Sequence, residues 1–314
     1  MKKRRLKKKP IIILGCIIVF FIILLLLIKA YKHYTSYEYR LGKIGYNDSE
    51  VTSILKHDKK YADYALKNEY DKYFVSLISQ KYFIWKNYKK YISYINDEYK
   101  NMKVDYDLVI VKVNTRTNYD YYTHTSVTNM DLGYGILVNK YYSLPEKYAP
   151  EDVVSMSSTY AYPNNSIRSE VYEAFKEMSS KAKEEKISLI ANSSYRDYNS
   201  QKEIYDEYAD KNGKEYADKY AARPDFSEHQ SGLALDIFTP GYGMKNFDNS
   251  DAFKWLTANS YKYGFILRYP DGKENITGYA YESWHYRYLG KDLARKVYES
   301  GLTFDEYYAY YLDK

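Results

Sequence analysis

Residues 11–28, IIILGCIIVFFIILLLLI, form an uninterrupted apolar run of 18 residues, and no other feature limits the folding of this chain as sharply. As a helix rising 1.5 Å per residue, the run spans about 27 Å, near the thickness of a bilayer hydrocarbon core. Seven basic residues stand in the first nine positions: Lys2, Lys3, Arg4, Arg5, Lys7, Lys8 and Lys9. Positive charge before a spanning segment stays cytoplasmic, which predicts that everything beyond Lys29 lies outside.

A cleaved signal peptide is the competing reading, but the run is long and no small-x-small cleavage site follows it. Ile13-Leu14-Gly15-Cys16 has the form of a lipoprotein cleavage box. Only five apolar residues precede Cys16 and twelve follow, the reverse of a processed lipoprotein signal. Cys16 is the only cysteine, so no intramolecular disulfide forms. The net charge of +6 belongs to the tail: without its seven basic residues, 40 basic face 41 acidic ones. No electrostatic footprint for nucleic acid remains. The 44 tyrosines look like an AT-rich coding bias and carry no function individually.

The 314 residues suffice for an anchor, a small helical region and one well-buried catalytic domain. The expected organisation is a cytoplasmic tail at 1–10, an anchor at 11–28, a tether and helical stalk at 29–104, and a catalytic domain at 105–314. NDSEVTSILKH opens the stalk with Asn47 and Glu50 in capping-box spacing. DLVIVKV (107–113) reads as the first strand of the catalytic domain, and GILVNKYYSLPEKYAPEDVV as a strand running into irregular surface. A helix is expected over 167–186 with Val171, Phe175, Met178 and Ala182 inward, then a strand ISLIA (187–191). Ser200 and Glu203 predict another capping box, for a helix that Gly213 closes. GLALDIF (232–238) alternates, with Leu233, Leu235 and Ile237 on the core side and Asp236 among small residues on the other. A helix at 251–262, strands FILRYP and ESWHYRYL, and helices at 291–300 and 303–312 complete an α+β domain on a small antiparallel sheet.

Two segments carry the chemistry. SEHQSGLALDI (227–237) supplies His229 and Asp236, with Gly232 between them to permit a turn into the strand. ESWHYRY (282–288) supplies His285, with Glu282 three residues earlier and Trp284 and Tyr286 expected on the opposite face. Zinc accepts such nitrogen and carboxylate ligands, and catalytic sites keep a fourth position for water. Two histidines, an aspartate and a free glutamate are the parts of metal-assisted hydrolysis, with Glu282 as proton carrier. A histidine near a tryptophan is more often a packed core residue, and an aspartate at a strand end more often a cap. Only five histidines exist in the chain, however, and two fall in these segments, each beside a carboxylate.

Ser227, His229, Gly232, Ala234 and Asp236, in the pattern S-x-H-x-x-G-x-A-x-D, resemble the zinc motif of the VanY-type D-alanyl-D-alanine carboxypeptidases. That family lies within a wider group of zinc peptidases that includes lysostaphin-type enzymes and the hedgehog fold. Glu282-x-x-His285, with Trp284 and Arg287 beside it, resembles the family's second motif, and SSYRDYNSQ (193–201) its third. The likeness covers about residues 105–312. It implies Zn2+ held by His229, Asp236 and His285, with Glu282 as catalytic base and Arg196 contacting substrate and stabilising the oxyanion. Gln201, one helical turn beyond Arg196, is a candidate for binding the substrate's terminal carboxylate or peptide groups, with a solvated first-turn helix residue as the alternative, and Ser227 and Trp284 are candidate pocket-lining substrate contacts. The implied substrate is peptidoglycan stem peptide, trimmed at its C-terminal D-amino acid outside a bacterial cytoplasmic membrane.

Three rivals stand beside this reading. Ser53–Lys56 and Ser180–Lys183 match Ser-x-x-Lys of serine-type carboxypeptidases, but no Ser-Asp-Asn or Lys-Thr-Gly companion occurs. A wall-binding or sensor module would have no need of Glu282. An L,D-carboxypeptidase acting on tetrapeptide stems differs only in pocket shape.

Overall fold

The computed structural model describes residues 8–313, and residues 1–7 of the expected basic tail lie outside the described residues. A helix runs over Lys8–Thr35, and Ile13–Thr35 is long and apolar enough to cross a membrane. Its side chains from Ile13 to Ile28 are exposed. The chain divides into two compact units, residues 1–83 and 84–314.

In the first unit, short helices at Tyr37–Ile44, Asp48–Lys56, Lys59–Ala65 and Phe74–Ile78 bury Leu41, Ile54, Phe74 and Leu77. The capping box at Asn47 is present: its side chain accepts from the Glu50 amide while Glu50 accepts from the Asn47 amide.

In the second unit DLVIVKV is not a strand. It lies in a helix over Tyr106–Thr115, started by Asp105, whose carboxylate accepts from the Leu108 amide at 3.0 Å. The β-branched composition favours a strand, but Val109, Ile110 and Val113 share one helical face and are buried, and burial overrides propensity. Asn114 locks this helix to the preceding one (Tyr88–Glu98) by accepting from Tyr91 Oη at 2.6 Å and Asn87 Nδ2 at 2.9 Å. The strand expected to open residues 135–154 shrinks to the pair Tyr142–Ser143, although Ile136, Leu137 and Val138 are buried.

The central sheet has four antiparallel strands: β1 (Ile190–Ser193), β2 (Ala234–Phe238), β3 (Phe265–Tyr269) and β4 (Glu282–Tyr288), in spatial order β1-β2-β4-β3. The expected strand at 187–191 is thus displaced towards 193. The helix Ser169–Glu184 covers one face, where Val171, Phe175 and Met178 join one core with Leu235, Ile237 and Tyr286. The helix Tyr198–Asn212 is capped by Asp197 rather than Ser200: the aspartate accepts from the Ser200 amide at 2.8 Å, because a carboxylate one residue before the helix reaches the orphan N–H directly. The last helix, Phe304–Tyr307, carries the expected reciprocal box between Thr303 and Glu306 and continues as a single π-turn. Helices around a small antiparallel sheet make this an α+β fold.

Candidate metal centre and catalytic cleft

Gly232 starts the site. After the turn Glu228–Ser231 it adopts φ of 69°, which only glycine takes without strain, and a Cβ there would meet Arg168 Cγ at 2.7 Å. This turn lets His229 double back over β2. Asp236 and His285 are direct cross-strand partners in the β2–β4 register, so their side chains leave the same face of the sheet. His229 Nε2 lies 3.5 Å and His285 Nδ1 3.2 Å from Asp236 Oδ1. One ligand atom from each of the three residues falls within 4.8 Å of the others.

Glu282 and His285 are three residues apart, and on a flat strand they would point to opposite faces. The β3–β4 register prevents this. Leu267 faces Tyr286 and Tyr269 faces Glu282, so three residues of β4 pass a single residue of β3. The irregularity brings Glu282 Oε2 to 3.6 Å from His285 Nδ1. It also changes the expected place of Trp284, which lies partly against the core and partly along the cleft rather than wholly on the far face.

The cleft is a cavity of about 270 Å³, and all eight residues singled out in the sequence line it: Arg196, Gln201, Ser227, His229, Asp236, Glu282, Trp284 and His285. Arg196 is held by its backbone, which donates to His229 O at 3.2 Å, and by Nη1, which donates to Gln201 Oε1 at 2.9 Å. Its Nε is buried and finds no hydrogen-bond partner among the described residues. Gln201 is expected to touch substrate, but its oxygen accepts from Arg196 and its Nε2 donates to Ala222 O at 2.7 Å. These two bonds hold the Gln201 amide against the guanidinium while it lines the cleft.

The two imidazoles sit in opposite fields. Burial pushes His229 down to about 4, and Arg196 adds to the effect against the pull of Asp236. Its Nδ1 lies 2.7 Å from Ser194 O, the geometry of a donated proton that leaves Nε2 a free lone pair. Burial also opposes charge on His285, but the Asp236 and Glu228 carboxylates beside the ring overcome it and raise this ring to about 9. Burial would raise Asp236, yet His229 and His285 hold it well below the usual carboxylate range. For Glu282 burial wins and lifts the carboxyl to about 7, opposed by His285 and reinforced by Asp236. Burial lowers Arg196, against Asp236 and Glu282.

These atoms fit a divalent cation. Among the described residues nothing donates a well-aligned hydrogen bond to the buried Asp236 Oδ1, although two ring nitrogens converge on it. Two neutral-capable nitrogens and a carboxylate are a zinc donor set, and the cleft leaves one side open.

One partner was not anticipated from the sequence. Glu228, fully buried between Ser227 and His229, places Oε2 3.2 Å from His285 Nε2. Its Oε1 accepts from Arg268 Nε at 2.7 Å and Arg287 Nη1 at 2.8 Å. Burial opposes its ionisation, and the two arginines overturn that, keeping it charged. The available signal was Arg268 itself, a lone charge inside the apolar strand FILRYP.

A buried His/Asp/His cage beside a free carboxylate has the composition of a mononuclear metallohydrolase centre. Comparison with known proteins narrows the class. The family model described as VanY, D-alanyl-D-alanine carboxypeptidase, matches residues 164–291. The YodJ protein of Bacillus subtilis (strain 168), whose name gives it provisionally as a carboxypeptidase, is 42% identical over 182 residues, covering 55% of this chain and 66% of the relative. A D-alanyl-D-alanine carboxypeptidase of Enterococcus faecalis is 46% identical over 94 residues, 30% of this chain and 34% of the relative. The chain therefore spans about two thirds or less of these relatives' lengths. The solved LD-carboxypeptidase LdcB superposes with a TM-score of 0.53 at 41% identity, covering 55% of this chain and 85% of that one. VanYB in complex with D-alanine-D-alanine gives 0.50 at 34% identity, covering 57% and 98%. This chain belongs to the VanY family of carboxypeptidases.

Proposed function

We propose that this protein is a zinc-dependent D-alanyl-D-alanine carboxypeptidase that removes the C-terminal D-amino acid of peptidoglycan stem peptides. The reading places it on a single N-terminal anchor, with the catalytic unit outside the cytoplasmic membrane. The observation that carries it is the meeting of Glu282 and Arg196 with the His229/Asp236/His285 cage in one cleft. A binding or sensor module has no use for a buried carboxylate poised beside such a cage.

His229 Nε2, Asp236 Oδ1 and His285 Nδ1 would hold the ion, which supplies Lewis-acid activation of water and of the scissile carbonyl. Glu282 accepts the proton of the attacking water and returns it to the departing amine. Arg196 offers fixed positive charge and directional donors to the oxygen that becomes negative, and Gln201 keeps that fork in place. Ser227 and Trp284 shape the wall around the terminal residue. The rival Ser-x-x-Lys serines, Ser53 and Ser180, sit in helices and do not line the cleft.

The likeness to an LD-carboxypeptidase supports a second reading, L,D cleavage of tetrapeptide stems. Mass spectrometry of defined penta- and tetrapeptides incubated with the purified protein decides between them. The expected result is loss of one D-alanine from the pentapeptide, abolished by chelator and indifferent to β-lactam. Shortening of the tetrapeptide with an intact pentapeptide replaces the D,D reading by the L,D one, and no cleavage of either removes both.

A further inference from the structure

Beneath the metal ligands lies a cluster of buried charge that the hydrolytic mechanism does not use. Glu228, Arg268, Arg287 and Asp305 are each at most 2% exposed. Arg268 bridges two carboxylates: its Nε donates to Glu228 Oε1 at 2.7 Å, and its far end grips Asp305, with Nη2 at 3.1 Å from Oδ1. Asn139 Nδ2 donates to the same Asp305 oxygen at 2.8 Å. Arg287 donates Nη1 to Glu228 Oε1 at 2.8 Å and Nη2 to the carbonyls of Tyr134 and Ile136 at 3.0 and 2.7 Å. Two arginines and two carboxylates balance without help.

That balance leaves something over. Both arginines spend their bonds to Glu228 on Oε1, while Oε2 faces His285 Nε2 at 3.2 Å. Glu228 is thus a charged acceptor, held from behind and aimed at the ring nitrogen opposite the one that faces Asp236 and Glu282. A proton kept on Nε2 leaves the lone pair on Nδ1, where the ion would sit. A plain structural ion cluster would gain nothing from this alignment, and buried ion pairs are weak contributors to stability in themselves.

We propose that Glu228, Arg268 and Asp305 are positioning residues of the metal centre, a buried relay that orients His285 and ties the C-terminal helix Phe304–Tyr307 to it. The family match ends at residue 291, so Asp305 lies beyond it. The inference rests on the metal-centre part of the functional reading, but not on which peptide is cut.

The test is zinc affinity of the full chain in detergent, read by competition with a chromophoric chelator, without peptide. Glu228→Gln is expected to weaken zinc binding about 10- to 100-fold, the usual cost of losing a ligand's outer hydrogen bond. Asp305→Asn, two residues further from the ring by way of Arg268, is expected to weaken it in the same direction but less. Met178→Ala, in the apolar core on the other side of the sheet, serves as the control that lowers stability alone. Wild-type zinc affinity in both Glu228→Gln and Asp305→Asn overturns the proposal. Should either variant not fold, the zinc-loaded wild type still decides. Its His285 Nε2 proton is expected as a slowly exchanging, downfield signal in nitrogen-correlated NMR spectra. Coordination through Nε2, or an Nε2 proton in fast exchange, overturns the relay. Because no peptide enters these readouts, they stand apart from failure of the carboxypeptidase reading.

Discussion

The two faces of the central sheet are built on different terms. On one, Leu235, Ile237 and Tyr286 meet Val171, Phe175 and Met178 in a core defined by size and apolarity. On the other, Asp236, His285, Arg287 and Arg268 are as deeply buried, yet each is placed by individual atoms of a partner. An apolar face can absorb a change of volume at a cost in stability. The polar face cannot exchange one oxygen for another without changing what the site does.

Glu282→Gln should separate the two terms most sharply. It keeps side-chain volume and leaves His229, Asp236 and His285 in place, so on the proposed reading zinc should stay bound while turnover falls about 10³-fold. Metal content by atomic absorption together with peptide turnover checks this, and unchanged turnover would remove Glu282 from the mechanism. Arg196→Lys comes next. It keeps the charge but loses the planar fork that Gln201 aligns, and turnover should fall about 10²-fold with the fold intact by circular dichroism.

On the apolar face the sign of the experiment reverses. Met178→Ala should cost about 2–5 kcal/mol in denaturant unfolding while turnover, measured where the protein stays folded, is unchanged. Altered turnover would mean that the two faces are coupled.

The smallest effect concerns Lys140, which is fully buried against the rings of Tyr121 and Tyr279 and donates to Asp218 O. Burial lowers its amine to about 7, opposed by Asp218. Between that value and the ordinary 10.5, the unfolded chain binds a proton that the folded chain lacks, so this group makes stability rise with pH across the window. Thermal midpoints from pH 7 to 9 should climb less in Lys140→Met than in the wild type. An equal climb would show that the buried amine stays charged throughout.

How much of this could be read from the chain follows the same division. Alternation in GLALDIF and the inward stripe of Val171, Phe175 and Met178 were visible because their periods are local. The boxes at Asn47 and Thr303 were visible for the same reason, with both partners three residues apart. The spacing of His229, Gly232 and Asp236 was readable as a turn into a strand. The Tyr106–Thr115 helix was not, because its β-branched residues favour the wrong element and only tertiary burial decides. Nor was the Glu228 cluster. Its members join across separations of 40, 37 and 59 residues, where no local period reaches.

The slack in β4 has one more consequence. A pleated ribbon repeats every second residue, so an acid and a ligand spaced E-x-x-H can cooperate only where the ribbon is out of step with its neighbour. The spacing is therefore a signature of local misfit, written in one strand but enforced by the other. Restoring regular pairing of β4 with the Leu267–Tyr269 stretch of β3 would leave every motif letter in place and still swing Glu282 away from its partner.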